Sequence, residues 1–278
     1  MTRTSDIVLR CGAVLTACAI PVASLAEDLS LNSRIGLDDG RPIALAPAAS
    51  TEEFHAPEAT SVLPLLNDYE AFAVRLLLTK GHLRAGVDAY AAGSVNDALA
   101  HLGEPVDVLH KDLEKWIDRP GAEPIETPLA ALVAAVRARM SLDVVNQELA
   151  TALHELDGAI EILDAEIRES PAFVMLVAIA VLRTAADEYE IGVSEGSVID
   201  VIEYQDARAF ILEARTFADA AADHLKARNA GAYGILTAEF AALEMELPAA
   251  AQFERTLTTS ADLRRAVVRI GLLYDSFK

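Results

Sequence analysis

From about Ser61 onward, apolar residues recur at steps of three and four almost to the C-terminus, and no β-branched run alternates with polar residues. That period stacks side chains on one face of an α-helix, whereas strands need a period of two. The chain is therefore expected to be all-α, an antiparallel helical bundle with one long helix, joined by short turns. Composition points the same way. Hydrophobic residues make up 53% of the 278, aromatic ones only 5%, and alanine is abundant, a bias toward helix by propensity alone.

The pattern divides into segments. Leu65, Tyr69, Phe72, Leu76 and Thr79 to Leu83 predict a helix over 61–92, with Pro64 in its first turn, broken by Gly93-Ser94. A second arm covers 97–102. A third covers 106–117 and closes at Asp118-Arg119-Pro120-Gly121. Thr127-Pro128 then starts the longest element. Leu149, Leu153, Leu156, Ile160, Leu163 and Ile167 form a heptad seam in a rod over 129–168, ~60 Å long at 1.5 Å per residue. Ser170-Pro171 ends it and opens an apolar helix to Tyr189, whose Phe173–Leu182 core should pack on that seam. Gly192 and Gly196 bracket a turn, Ser197 caps a helix over 198–229 ended by Gly231, and helices over 232–247 and 260–277 flank Pro248.

The N-terminus reads as an export signal. Arg3 and Arg10 precede an apolar run from Cys11 to Val22, and Ser24-Leu25-Ala26 has the small residues of a cleavage site. Residues 1–26 are thus expected to be a signal peptide, 27–60 a flexible lead-in and 61–278 the bundle domain, located in the periplasm. Leu15-Thr16-Ala17-Cys18 also fits a lipobox, which would anchor a lipoprotein at Cys18. Both cysteines lie in the leader, so the exported chain would keep no thiol chemistry. A net charge of −20 argues against nucleic acid, because nothing neutralises phosphate. The apolar block 172–182 has half the ~20 residues that a membrane span needs, so no span is expected.

Three histidines fall close together, His82, His101 and His110. Gly93 lies eleven residues from both His82 and Glu104, and His101 is three residues before Glu104. A hairpin turning at Gly93 would therefore bring His82, His101 and Glu104 together. Two imidazoles and a carboxylate suit iron, zinc or copper, although a core histidine held by hydrogen bonds gives the same pattern. Glu190, Asp200, Glu203 and Asp206 surround the Gly192–Gly196 turn and could hold a hard cation, or simply form a solvated acidic face. Arg264, Arg265 and Arg269, the one basic cluster, should pair with acids on neighbouring helices. Nucleophile, phosphate-loop and metalloprotease motifs are absent, so the chain is not expected to be an enzyme.

Gly81-His82-Leu83, Gly86, Gly93 and Ala100-His101-Leu102, with 189–196 and Glu203-Tyr204-Gln205-Asp206-Ala207-Arg208-Ala209-Phe210, resemble the helical periplasmic regions of bacterial iron permeases and associated iron-uptake proteins. The permease's membrane helices and Arg-Glu-Gly-x-Glu motifs are missing. The resemblance implies that His82, His101, Glu203 and Tyr204 hold characteristic positions, and that the cation is iron. The sequence thus leads to an exported protein that handles a metal cation in transport or homeostasis. Its ligands would come from His82, His101, Glu104, Glu203 and Asp206, with a membrane transport component as partner. The competing expectation is a non-catalytic periplasmic scaffold, in which the 129–168 seam docks a partner or a second copy as a homo-oligomer.

Overall fold

Residues 66–104, 125–247 and 258–278 are described in the computed structural model of the chain. They belong to one compact unit, Glu58–Lys278. The leader 1–26, the lead-in 27–60 and the arm 106–117 lie outside the described residues.

Helix α1 runs Asp68–Ala91, later than the expected start at 61, because Asn67 caps it. Asn67 Oδ1 accepts from the amides of Tyr69 and Glu70, at 2.8 and 3.3 Å, while Glu70 accepts from the Asn67 N–H at 2.6 Å. This reciprocal box satisfies donors that no earlier turn could serve. From Phe72 to Ala89 the helix is buried on nearly every face, which makes it the central strut. Helix α2, Val95–Glu104, folds back on it, and Gly86 permits the close approach, since a Cβ there would overlap Leu102.

The expected rod over 129–168 is broken. Helix α3, Glu126–Arg137, ends in a turn with Arg139 at φ 54°, and α4, Leu142–Ile160, starts afresh after Ser141. Met140 and Leu142, 45% and 42% exposed, mark the join. The two apolar runs are separated by nine residues, Met140 to Leu149, so they are not one phase of one helix. A further turn precedes the short α5, Ala165–Arg168. Folding back lets α3 and α4 pack on each other, with Leu132, Val136, Val145, Ala152 and Leu156 turned inward.

Helix α6, Pro171–Gly192, is the apolar centre, as its sequence requires, and Met175, Val177, Ala178, Val181 and Leu182 are fully buried. It packs chiefly against α7, Val201–Ala220, with α9 and α1 beside it, rather than on the α4 seam, which lies against α1 and α3. A two-residue ribbon joins α6 to α7. Its strands β1, Val193–Ser194, and β2, Ser197–Val198, pair Val193 with Val198. Asp200, not Ser197, caps α7 by accepting from the Ile202 N–H at 3.0 Å. The helix expected over 198–229 stops at Ala220, and α8, Ala222–Glu246, continues past Gly231 with a kink at Asn229. Helix α9, Ser260–Leu272, closes the bundle and is followed by a 3-10 turn, Tyr274–Ser276. The all-α bundle is thus the observed fold, built of shorter helices than the period alone suggested.

Candidate metal centre

A helix buried on all faces must satisfy every polar side chain it carries, because an unpaired buried polar group costs roughly 1–3 kcal/mol. On α1 this applies to His82, 5% exposed. Its partner comes from α7. Gly81, one residue earlier, leaves room for Phe210 where a Cβ would overlap the ring, and Phe210 packs edge-on against the His82 imidazole at 4.9 Å. With α7 this close, Asp206 Oδ1 lies 2.9 Å from His82 Nδ1. The same oxygen lies 2.9 Å from Nδ1 of His101 on α2. His101 and Asp206 are 1% and 2% exposed. The ligand atoms of these three residues all fall within 4.8 Å of one another.

Protonation follows from the partners. A carboxylate oxygen only accepts, so both Nδ1 atoms donate to Asp206. His101 Nε2 meets Gln205 Oε1 at 2.8 Å, a contact that favours the protonated ring. Burial alone would push the His101 pKa down. The hydrogen bond to Asp206 and its charge, helped by Gln205 and Asp97, raise it above the ordinary 6.5. Asp206 is the mirror case. Burial would raise its carboxyl, but the bonds from His101 and His82 and their charges hold it below the usual 3.8. The trio is thus a buried ion pair with two protons where the three ligand atoms converge.

His82 and His101 therefore meet as the hairpin spacing predicted. Their carboxylate is Asp206, from the second candidate cluster. Glu104 ends α2, and its side chain lies outside the described residues, as does His110. Glu203, half-buried in the first turn of α7, is not one of the converging ligands among the described residues. The acidic cluster around the ribbon does not assemble. Asp200 is a cap, Asp206 points into the core, and Glu190 pairs with Arg264, which also reaches Asp187 at 3.0 Å. Arg269 pairs with Glu239 of a neighbouring helix, as expected, whereas Arg265 pairs with Asp262 of its own helix. Tyr204 is buried, its ring 5.9 Å from that of Tyr189, and burial pushes its phenol up to about 12.

Sequence inspection missed a second buried polar group one heptad further along α7. Glu213, 1% exposed, meets Arg84 Nε and lies 3.5 Å from Lys80 Nζ, which bonds Asp157 at 2.7 Å. A signal was present. Lys80 falls inside the Leu76–Leu83 apolar stretch, and Glu213 stands seven residues after Asp206. Gln205 was also missed, although it sits beside Asp206.

No curated protein and no solved structure matches the chain. Among the described residues, no helix is long and apolar enough to cross a membrane. Residues 164–275 match the family model of the iron permease-associated 4-helix bundle domain. This segment runs from α5 through α9 and includes Asp206, whereas His82 and His101 come from helices that precede it. The match links this segment to a domain associated with iron permeases. The resemblance to the helical regions of iron permeases is therefore shown, and it rests on the segment that supplies Asp206.

Proposed function

We propose that this protein binds a transition-metal cation, iron foremost, at His82, His101 and Asp206, and carries it for a permease-type transport system outside the inner membrane. The observation that supports this is the convergence of two imidazole nitrogens on one buried carboxylate oxygen. Two nitrogens and an oxygen form a donor set that suits iron(II), zinc or copper. Binding through the Nδ1 atoms displaces the two protons now held there, so a cation takes over the electrostatic role of those protons. Gln205, bonded to His101 and lining an open cleft, marks a route from solvent to the buried trio. Export follows from the 1–26 leader, with a mature start at Glu27. The scaffold alternative keeps no continuous rod, because the 129–168 segment is folded into separate helices, with Leu156 and Leu163 buried and Leu149, Leu153, Ile160 and Ile167 partly buried against the core.

Calorimetric titration of iron(II), zinc and copper(II) into the mature protein tests the assignment. Wild type should bind one cation, His82→Ala and His101→Ala should each bind at least tenfold more weakly, and protons should be released on binding. Equal binding by all three proteins would sink it.

A further inference from the structure

Outside the trio, a cleft of ≈ 500 Å³ opens between α1, α4 and α7. That volume lies within the range of about 300–1,000 Å³ for small-molecule sites. Its polar lining runs against the net charge of the chain. In a protein with 43 acidic and 23 basic residues, it presents Arg84 and Arg208 with the neutral amides of Asn146 and Gln205, against one acid, Asp88. Each guanidinium commits its Nε to a protein oxygen, Arg84 to Glu213 and Arg208 to the Leu247 carbonyl at 3.2 Å. Each anchor tethers its guanidinium through Nε, on the side away from the terminal Nη groups that a ligand would meet. Asp88 competes only weakly, with its side chain 75% exposed and its oxygen 4.0 Å from Arg208 Nη1. Leu149 and Leu212 supply an apolar wall, and Gln205 forms part of the lining while bonding His101.

We propose that this cleft is a binding site for a small di- or tricarboxylate anion, clamped by Arg84 and Arg208, with Asn146 and Gln205 as hydrogen-bond partners. Two guanidinium forks lining one cleft suit an anion with more than one carboxylate, since each carboxylate accepts two parallel N–H bonds from one fork. The negative net charge opposes an anion at long range, so binding should be moderate. The anion can arrive free or as the oxygen shell of a chelated cation. The second case rests on the metal assignment above, because Gln205 joins the cleft to His101.

The test is calorimetric titration of citrate into the metal-free mature protein, wild type, Arg208→Gln and Asn146→Trp, with melting curves for each. Arg208 is partly exposed and Asn146 exposed, so both variants should melt like wild type. Citrate should bind wild type saturably, at least tenfold more weakly to Arg208→Gln, and not at all to Asn146→Trp, whose indole fills the cleft. Absence of binding to wild type, or unchanged affinity in a natively melting Arg208→Gln, overturns the proposal. Should either variant misfold, shifts of the Gln205 side-chain amide in wild type on citrate addition replace it, and no shift overturns the site. Ferric citrate forms the second arm. A gain over citrate that disappears in His82→Ala supports delivery of a chelated cation, while equal affinity for both supports a free anion. Citrate binding with no cation binding would refute the metal assignment alone, and the reverse result would refute this site alone.

Discussion

Two buried polar clusters bridge α1 and α7, and they differ in what neutralises their acid. Around Glu213 the positive charges are Arg84, which donates to it, and Lys80, an ion-pair neighbour at 3.5 Å whose own hydrogen bond goes to Asp157. Around Asp206 the partners are imidazoles, whose Nδ1 atoms donate protons that a metal would replace under the proposed function. The first is a closed ion pair that can only be kept or broken. The second is an exchangeable one, since a neutral imidazole is a ligand and an imidazolium is not. Burial is nearly equal at Glu213 and Asp206. Side-chain chemistry, not depth, therefore separates a structural lock from a candidate metal centre.

The sharpest way to break this comparison is to neutralise each acid in turn. Glu213→Gln should destabilise by about 3–5 kcal/mol, the usual cost of unpairing one member of a buried ion pair, and leave cation affinity unchanged wherever the protein remains folded. Asp206→Asn should abolish cation binding at a smaller cost in stability, because the amide keeps the shape and still accepts from one imidazole. The distinction fails if a folded Glu213→Gln loses the metal or Asp206→Asn keeps it. A medium effect is expected from Gly81→Ala. Its methyl meets the Phe210 ring, so α1 and α7 must part, with a loss of about 1–3 kcal/mol and weaker cation binding through a displaced His82. Loss of stability without any change in affinity would show that the trio tolerates a wider helix spacing.

The smallest expected effect is on pH dependence. The His101 pKa is raised in the fold, so its stabilising share is complete below 6.5 and is lost as pH rises through the raised value. The Asp206 pKa is lowered, so its share is present above 3.8 and is lost as pH falls through the depressed value. Metal-free protein should therefore be most stable in mildly acidic solution and weaken on the alkaline side of 6.5. Denaturant midpoints across this range, for wild type and His101→Gln, provide the check. An alkaline decline of equal size in both would remove His101 from the account.

Much of the bundle could be read from residue spacing, and the failures are instructive. The apolar block 172–182 and the Gly192–Gly196 turn required no tertiary information, since one face cannot hold so many aliphatic residues and one turn suits glycine. Met140 to Ser141 was passed over because turns without glycine or proline leave little local trace, and Arg139 there adopts a positive φ that arginine seldom takes. At the site, the approach of His82 and His101 followed from counting outward from Gly93. The identity of the carboxylate did not.

What the sequence by itself determined is the helical period, the hairpin that brings His82 toward His101, and the resemblance to iron-permease helical regions. Local rules suffice there, because helix formation and hairpin reversal depend on residues within a few turns of one another. Tertiary structure alone decided that Asp206, more than a hundred residues away, completes the trio, and that Lys80 and Arg84 meet Glu213 in a second cluster. Which face of α7 meets α1 depends on the packing of whole helices, here on Phe210 seated over Gly81. Ridge-into-groove fit between distant segments leaves no periodic mark in either one, so no spacing along the chain could announce it.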